Sequence, residues 1–421
     1  MQRYDQPHTA VATIMRQWRG FDMSQKRLKF GTFIAPHFPS DEHPSLAIEE
    51  DMDRVVWLEK LGFDEAWIGE HHSGGWEING SPELFAAAVS QRTSRIKLGM
   101  GVVSLPYHNP FMVADRIRQL DHITKGRTIL GMGPGSLPSD AYMIGVPVAE
   151  SRDRMEEAID PIVRLLNGEV VTQKSSWFNL QEAQLQLDAY DDLGVEIAAA
   201  SQVSPTGALA AGKHGLSMLS IGATSAGGFN ALAKNWEIAE ETAAQYGNTM
   251  DRNGWRLVGP VHIAETREKA RENVRYGLER WLEYMSKVAA LPLAPPPGVD
   301  PIDFIIDTGF GVIGTPDDFV AQMERLSEQS GGFGCFLNLD NHWADWAETR
   351  RSYELIARFA IPRLNRLNDL RHRSEEFLRD NHAKFRGELD DAVRAKLEAY
   401  AREKGSDKLS PDIVAHYKAK A

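Results

Sequence analysis

Only one cysteine, Cys335, occurs among the 421 residues, so no internal disulfide can form, and no Cys/His spacing matches a structural zinc site. Such a chain is expected in a reducing compartment. Positive charge is also scarce: 47 Lys and Arg stand against 59 Asp and Glu, a formal net charge of -12. That balance lacks the basic footprint of a protein that tracks a phosphate backbone, which argues against nucleic acid as a partner. Long apolar runs are missing as well. No window approaches the roughly 20 apolar residues that span a bilayer. The start of the chain mixes Arg3, Asp5, Arg16 and Arg19 without an apolar core, unlike a leader peptide. The expectation is a cytoplasmic protein with no membrane partner.

What is present supports a large core, with 42% hydrophobic and 25% charged side chains. Residues 1–28 are mostly polar and read as an N-terminal arm. From Lys29 onward a short β-branched or apolar run is repeatedly followed by a longer stretch with helical spacing. Strands are predicted at 29–34, 65–69, 96–104, 128–132, 196–199, 217–221, 257–263 and 335–339. Helices are predicted between them, among them 206–213, 229–246, 266–287 and, after the last strand, 346–365. Residues 169–194 break the alternation, and Val170-Val171-Thr172 with Trp177-Phe178 suggest a hairpin. The proline-rich run 291–298 cannot be helical, which makes 290–314 an insertion. Eight strand–helix units predict an α/β fold, a (β/α)8 TIM barrel over 29–365. A charged helical extension, 366–421, follows. In it Phe385, Leu389, Val393 and Leu397 recur every four residues, an apolar stripe suited to packing on the barrel or on another subunit.

A barrel of this kind places its site in the loops after the strands. Glu70, His71 and His72 follow the second strand; adjacent histidines serve as metal ligands, as proton donors and acceptors, or as satisfied structural groups. No further ligands with metal-site spacing accompany them, so no metal is predicted. The turn from Gly131 through Gly133 to Ser136 offers backbone N–H groups to a phosphate but lacks the lysine and spacing of a P-loop. Ser201, Ser204 and Thr206 sit at the start of a predicted helix. There hydroxyls either cap the helix or hold a phosphate at its positive end.

Taken together, these stretches resemble the bacterial luciferase-like flavin monooxygenases. The matches run in order: Lys29-Phe30-Gly31-Thr32-Phe33, Gly62-Phe63-Asp64-Glu65-Ala66-Trp67 leading to Glu70-His71-His72, Gly99-Met100-Gly101-Val102-Val103-Ser104-Leu105-Pro106, Asp121 with Lys125-Gly126-Arg127, Gly131-Met132-Gly133, Ala200-Ser201 and Gly314-Thr315-Pro316. Ala35-Pro36-His37-Phe38-Pro39 and the stretch from Gly133 to Asp140 look most like the limonene monooxygenase-like branch.

The resemblance implies a luciferase-type barrel that uses reduced FMN, supplied by a separate flavin reductase, and O2 through a C4a-(hydro)peroxyflavin. It implies a homo-oligomer as well. By position His71 matches the histidine that handles the flavin–oxygen adduct, and Glu70 the carboxylate beside it, expected to orient the imidazole. Gly101-Val102 lies where the family often carries a non-proline cis peptide under the flavin. Gly133 and Ser136 line the glycine-rich turn, and Ser201 matches a phosphate-binding serine that Ser204 or Thr206 would join. One position departs: Pro134 stands where luciferases place an arginine beside the phosphate, so backbone and hydroxyls must hold it or the cofactor differs. The proline-rich insertion matches a mobile loop. For a small apolar organic substrate, a terpene, ketone or aldehyde, the nominated pocket residues are His37, Trp76, Tyr107 and Asn338, with His342 beside them. Two rivals accompany this reading. One is a deazaflavin-dependent oxidoreductase on the same barrel. The other is a non-catalytic flavin-binding subunit, which the retention of Glu70 and His71 disfavours.

Overall fold

The structure, a computed structural model, describes residues 27–418 apart from 36 and 290–292. The predicted arm therefore lies outside the described residues except for Arg27 and Leu28, and part of the proline-rich run lies outside them too. Eight parallel strands close a barrel. They are β1 (Lys29–Ile34), β2 (Glu65–Ile68), β3 (Lys97–Ser104), β4 (Thr128–Gly133), β7 (Glu196–Ser201), β8 (Ser217–Ser220), β9 (Trp255–Ile263) and β11 (Cys335–Leu339), in that order, with β11 pairing back onto β1. The excursion after the fourth unit is the antiparallel pair β5 (Val171–Lys174) and β6 (Asn179–Ala183). The predicted (β/α)8 barrel is thus the observed fold.

Alternation along the strands explains the two Gly-Met-Gly repeats. Met100 and Met132 point outward into the layer between barrel and helices, where both are fully buried. Their glycine neighbours face inward, because the barrel interior must hold the whole indole of Trp67. A Cβ on Gly99 would stand 2.3 Å from that ring, and one on Gly131 2.8 Å from it. Below Trp67 the interior is closed by ions. Arg256 donates to both oxygens of Glu65, at 3.0 and 2.9 Å, and pairs with Glu196 at 2.6 Å. The Trp67 indole N–H donates to Glu65 as well, at 2.9 Å. A plugged barrel base leaves the opposite, C-terminal mouth for function.

One predicted helix needs correction. The helix expected over 266–287 is two helices, Arg267–Val274 and Leu278–Lys287. The break falls where the Gly277 N–H donates to the Trp343 carbonyl at 2.9 Å, and a Cβ on Gly277 would sit 2.1 Å from the His342 carbonyl. The insertion over 290–314 carries the helix Pro301–Asp307 and a short strand, β10 (Val312–Gly314), paired with β9. Pro301 pre-sets the first helical turn, and Asp300 caps it by accepting from the Ile302 N–H at 2.7 Å.

The chain divides into two units at Leu364 and Asn365. The second contains the helices Asp369–Asp380, His382–Lys404 and Pro411–Lys418. Within it Val393 and Leu397 of the predicted stripe line a groove with Tyr400, Leu409 and Ile413. No helix among the described residues is long and apolar enough to cross a membrane.

Candidate active site

The loop after β2 carries the predicted Glu70 and His71 to the barrel mouth, and the structure assigns them different partners. The carboxylate of Glu70 accepts from the Ser104 N–H at 2.6 Å and meets His108 Nε2 at 2.6 Å and His72 Nε2 at 3.1 Å. Burial opposes its ionisation, but these contacts bring its pKa down to about 2. Glu70 therefore ties the loops after β2 and β3 together and does not orient His71, as the sequence had suggested.

His71 is held by two residues that sequence reasoning did not nominate. Its Nδ1 meets Asp140 Oδ2 at 3.1 Å, and its Nε2 lies 2.9 Å from Glu77 Oε2. Burial works against a charge on the ring, yet the two carboxylates outweigh it and raise its pKa to about 10. The geometry says the same without any pKa: ionised carboxylates only accept, so a ring with one at each nitrogen satisfies both only when both nitrogens carry a proton.

Asp140 stands in the first turn of the helix Pro138–Ile144, and its other oxygen accepts from Ser73 Oγ at 2.5 Å and from the His72 N–H at 3.1 Å. Glu77 also accepts from the Tyr284 hydroxyl at 3.1 Å. Tyr284 stacks on Trp76, with ring centroids 4.7 Å apart and planes 11° from parallel. Helix Leu278–Lys287 thereby pins the loop that carries Glu77. A signal for Glu77 was present, an acidic residue between Trp76 and Ile78 in a loop at the active end of the barrel.

The nominated substrate residues do not form one wall. His37 and Trp76 both pack around Tyr284, whereas Tyr107 lies against His72 and the Gly135 turn. His37 is buried, meets the Asp340 carbonyl at 2.9 Å, and is pushed by burial down to about 4, so its ring is neutral. Asn338 spends its amide on strand pairing: its Oδ1 accepts from the Val261 N–H at 2.9 Å and its Nδ2 donates to the Val261 carbonyl at 3.4 Å. Those two bonds hold its side chain to strand β9. His342 lies 3.0 Å from Glu42, and burial pushes its ring down to about 4, so it is neutral.

For a flavin, the described residues offer a shelf and an anion site. The Gly101–Val102 peptide is cis, as the resemblance implied, and Val102 packs against Gly133, where a Cβ would stand 2.4 Å from it. The helix Thr206–His214 starts at Pro205 with no side-chain cap, so its first N–H groups remain for an anion, and the exposed Ser204 hydroxyl donates to Thr206 Oγ1 at 3.5 Å, which leaves the Thr206 proton to donate. Buried Ser201 accepts from the Asn235 amide at 3.3 Å, which leaves its own hydroxyl proton to donate. Gly207 lets this helix approach β7: a Cβ there would lie 1.9 Å from the Ala200 carbonyl oxygen. Ser136 is exposed on the turn after β4. This donor set fits a phosphate without the arginine that Pro134 replaces. No group of three His, Cys, Asp or Glu among the described residues is arranged to hold a metal.

Comparison with known proteins agrees with this picture. Residues 28–334 match the luciferase-like monooxygenase family. Limonene 1,2-monooxygenase of Rhodococcus erythropolis is 51% identical over 340 residues, covering 80% of this chain and 87% of that protein. The 4-hydroxyprotoasukamycin monooxygenase of Streptomyces nodosus subsp. asukaensis is 42% identical, covering 81% and 93%. Among solved structures, the oxygenating constituent of 3,6-diketocamphane monooxygenase from Pseudomonas putida, a type II Baeyer–Villiger enzyme in complex with FMN, superposes with a TM-score of 0.66 at 25% identity, covering 80% and 99%. A closed barrel with a clamped histidine at its mouth, matched at this identity and over this span, belongs to the luciferase-like monooxygenase family, and the chain is an enzyme of that class.

Proposed function

We propose that the chain is the oxygenating component of a two-component monooxygenase: it takes reduced FMN made by a separate flavin reductase, together with O2, and oxygenates a small apolar molecule of the terpene class. The observation that carries the reading is His71, a positively charged ring at the barrel mouth held between Asp140 and Glu77. Bound reduced flavin would supply the two electrons that split O2 between substrate and water.

The chain's own residues do the rest. Ser201, Ser204, Thr206 and the open helix N-terminus would hold the phosphate, and Val102 with Gly133 would support the ring system. His71 would favour negative charge developing at the mouth. Trp76 and Tyr284 would cover the site and limit water. The terpene assignment draws on the limonene-named relative, and the FMN assignment on the FMN-bound structure. A homo-oligomer and free diffusion of flavin from the reductase belong to the same proposal.

The test is stopped-flow mixing of anaerobic protein and reduced FMN with oxygen, wild type beside His71→Ala, with limonene as first substrate and labelled O2 as tracer. Delayed flavin reoxidation in the wild type, faster in the variant, and label in the organic product are expected. Reoxidation at the free-flavin rate by both proteins with no label incorporated would overturn the reading.

A further inference from the structure

The two carboxylates on His71 make different use of the site. Asp140 is shared with the backbone and hydroxyl of its neighbours, whereas Glu77 joins His71 to the Tyr284 hydroxyl and, at 3.8 Å, to His37 Nε2. We propose that Glu77 is a positioning residue that, with Asp140, fixes His71 as a permanent imidazolium, so that His71 serves as a standing positive charge and does not release a proton in each turnover. This rests on the monooxygenase reading above.

The argument is one of donors and acceptors. Each ring nitrogen faces a carboxylate oxygen at 2.9 or 3.1 Å, and neither oxygen offers a proton in return. Deprotonating the ring would leave one nitrogen lone pair pointed at an anion in a largely buried place. The surrounding charges do not relieve that state. On its own loop, Glu70 is committed to His72 and His108; from the loop after β1, His37 is neutral; from the segment after β3 comes the Tyr107 phenol; from helix Leu278–Lys287, the Tyr284 phenol. Both phenols are held protonated, since burial and nearby carboxylates push their pKa values up. His72 also faces this cluster, its pKa raised chiefly by its bond to Glu70, but its ring bonds Glu70 and only its backbone N–H bonds Asp140. A fixed cation favours an anionic bound cofactor without any proton step, so catalysis through it should not depend on a histidine titrating near neutral pH.

The measurement is the pH titration of the His71 ring by 15N NMR in the full chain without flavin, its signal assigned by its loss in His71→Gln. The wild-type ring is expected to stay doubly protonated to beyond pH 9, in keeping with a pKa raised to about 10. In Glu77→Gln, which keeps an acceptor but removes a charge, the midpoint should fall by about 1–3 units, and Glu77→Asp should restore part of it. Tyr284→Phe breaks the hydroxyl contact and leaves the charge, so it should leave the midpoint in place. A wild-type midpoint near 6.5, or a midpoint that Glu77→Gln leaves unmoved, or that Tyr284→Phe moves as far, would overturn the proposal. Because no flavin is present, the titration can succeed while labelled oxygen fails to reach a product, which would sink the monooxygenase reading alone.

Discussion

Gly207→Ala is the perturbation most directly dictated by the structure. In an unconstrained helix the change would stabilise by up to about 1 kcal/mol through propensity. Here the new methyl would meet the Ala200 carbonyl oxygen at 1.9 Å, the Ala200 carbonyl carbon at 2.7 Å and the Ser201 Cα at 2.9 Å. All three are backbone atoms, so no side-chain rotation relieves the overlap, and the start of helix Thr206–His214 must withdraw from β7. Overpacking of that kind costs about 1–3 kcal/mol, enough to cancel the propensity gain and leave the variant less stable. If the phosphate leans on that helix start, losing one charge-assisted hydrogen bond, about 1.5–3 kcal/mol, should weaken FMN binding by about 10- to 100-fold. Riboflavin, which has no phosphate, should bind wild type and variant alike. The assay is thermal melting together with equilibrium binding of both flavins. Gly387→Ala is the control: Gly387 lies in helix His382–Lys404 with nothing within 4 Å of the added methyl, so there the propensity gain should appear undiminished. A Gly207→Ala protein that melts lower yet keeps its preference for FMN over riboflavin would show that the phosphate is held elsewhere.

Two further predictions separate stability from catalysis. Arg256→Met leaves buried Glu65 and partly exposed Glu196 at the barrel base without their main counter-charge and should cost about 3–5 kcal/mol in urea unfolding. Burial opposes ionisation of both carboxylates, but Arg256 beside them lowers each to about 2. The stabilisation they receive is therefore present above their unfolded pKa and lost as pH falls toward 2, so the gap between wild type and variant should narrow in acid. A gap that is constant with pH would disprove the ionic account. Asn338→Ala strips the Val261 N–H and carbonyl of their partner, at a cost of about 1–3 kcal/mol, and should lower the melting temperature while leaving KM for the organic substrate unchanged. A raised KM at unaltered stability would restore Asn338 to the substrate pocket.

The barrel was legible because its pattern is local. A strand two-faced in period and a helix of 3.6-residue period are written in neighbouring residues, and eight such units leave few ways to close. β1 and β11 fall at the predicted residues for that reason. Where the prediction slipped, a distant contact decided the matter. Helical spacing continues through Arg275 and Tyr276, and only the carbonyls of His342 and Trp343 crowding and bonding Gly277 end the first helix there. β10 forms because β9 is long enough to offer Val261 to Ile263 as a template beyond its pairing with β11.

The site was legible as a place and not as a set of partnerships. Motif order puts Glu70 and His71 at the mouth, and adjacency suggests that they act on each other. Side chains at successive positions diverge, however, and at the end of a strand they leave on opposite sides. Glu70 accordingly turns toward the loop after β3, and His71 toward the loop after β4, 69 positions on, to find Asp140. Asp140 carries no mark in the sequence that distinguishes it from any acidic residue in a helix's first turn, the very place where such residues are ordinary. What brings it to His71 is that its helix starts across the mouth from β2, a fact of barrel closure. Glu77 lies on the same loop as His71, and Tyr284, 207 positions away on helix Leu278–Lys287, donates to it as well. The surroundings of a histidine in such a mouth are therefore set across the barrel as well as within its own loop, and the residue next to His71 in sequence makes none of its ring contacts while one 69 positions on makes one.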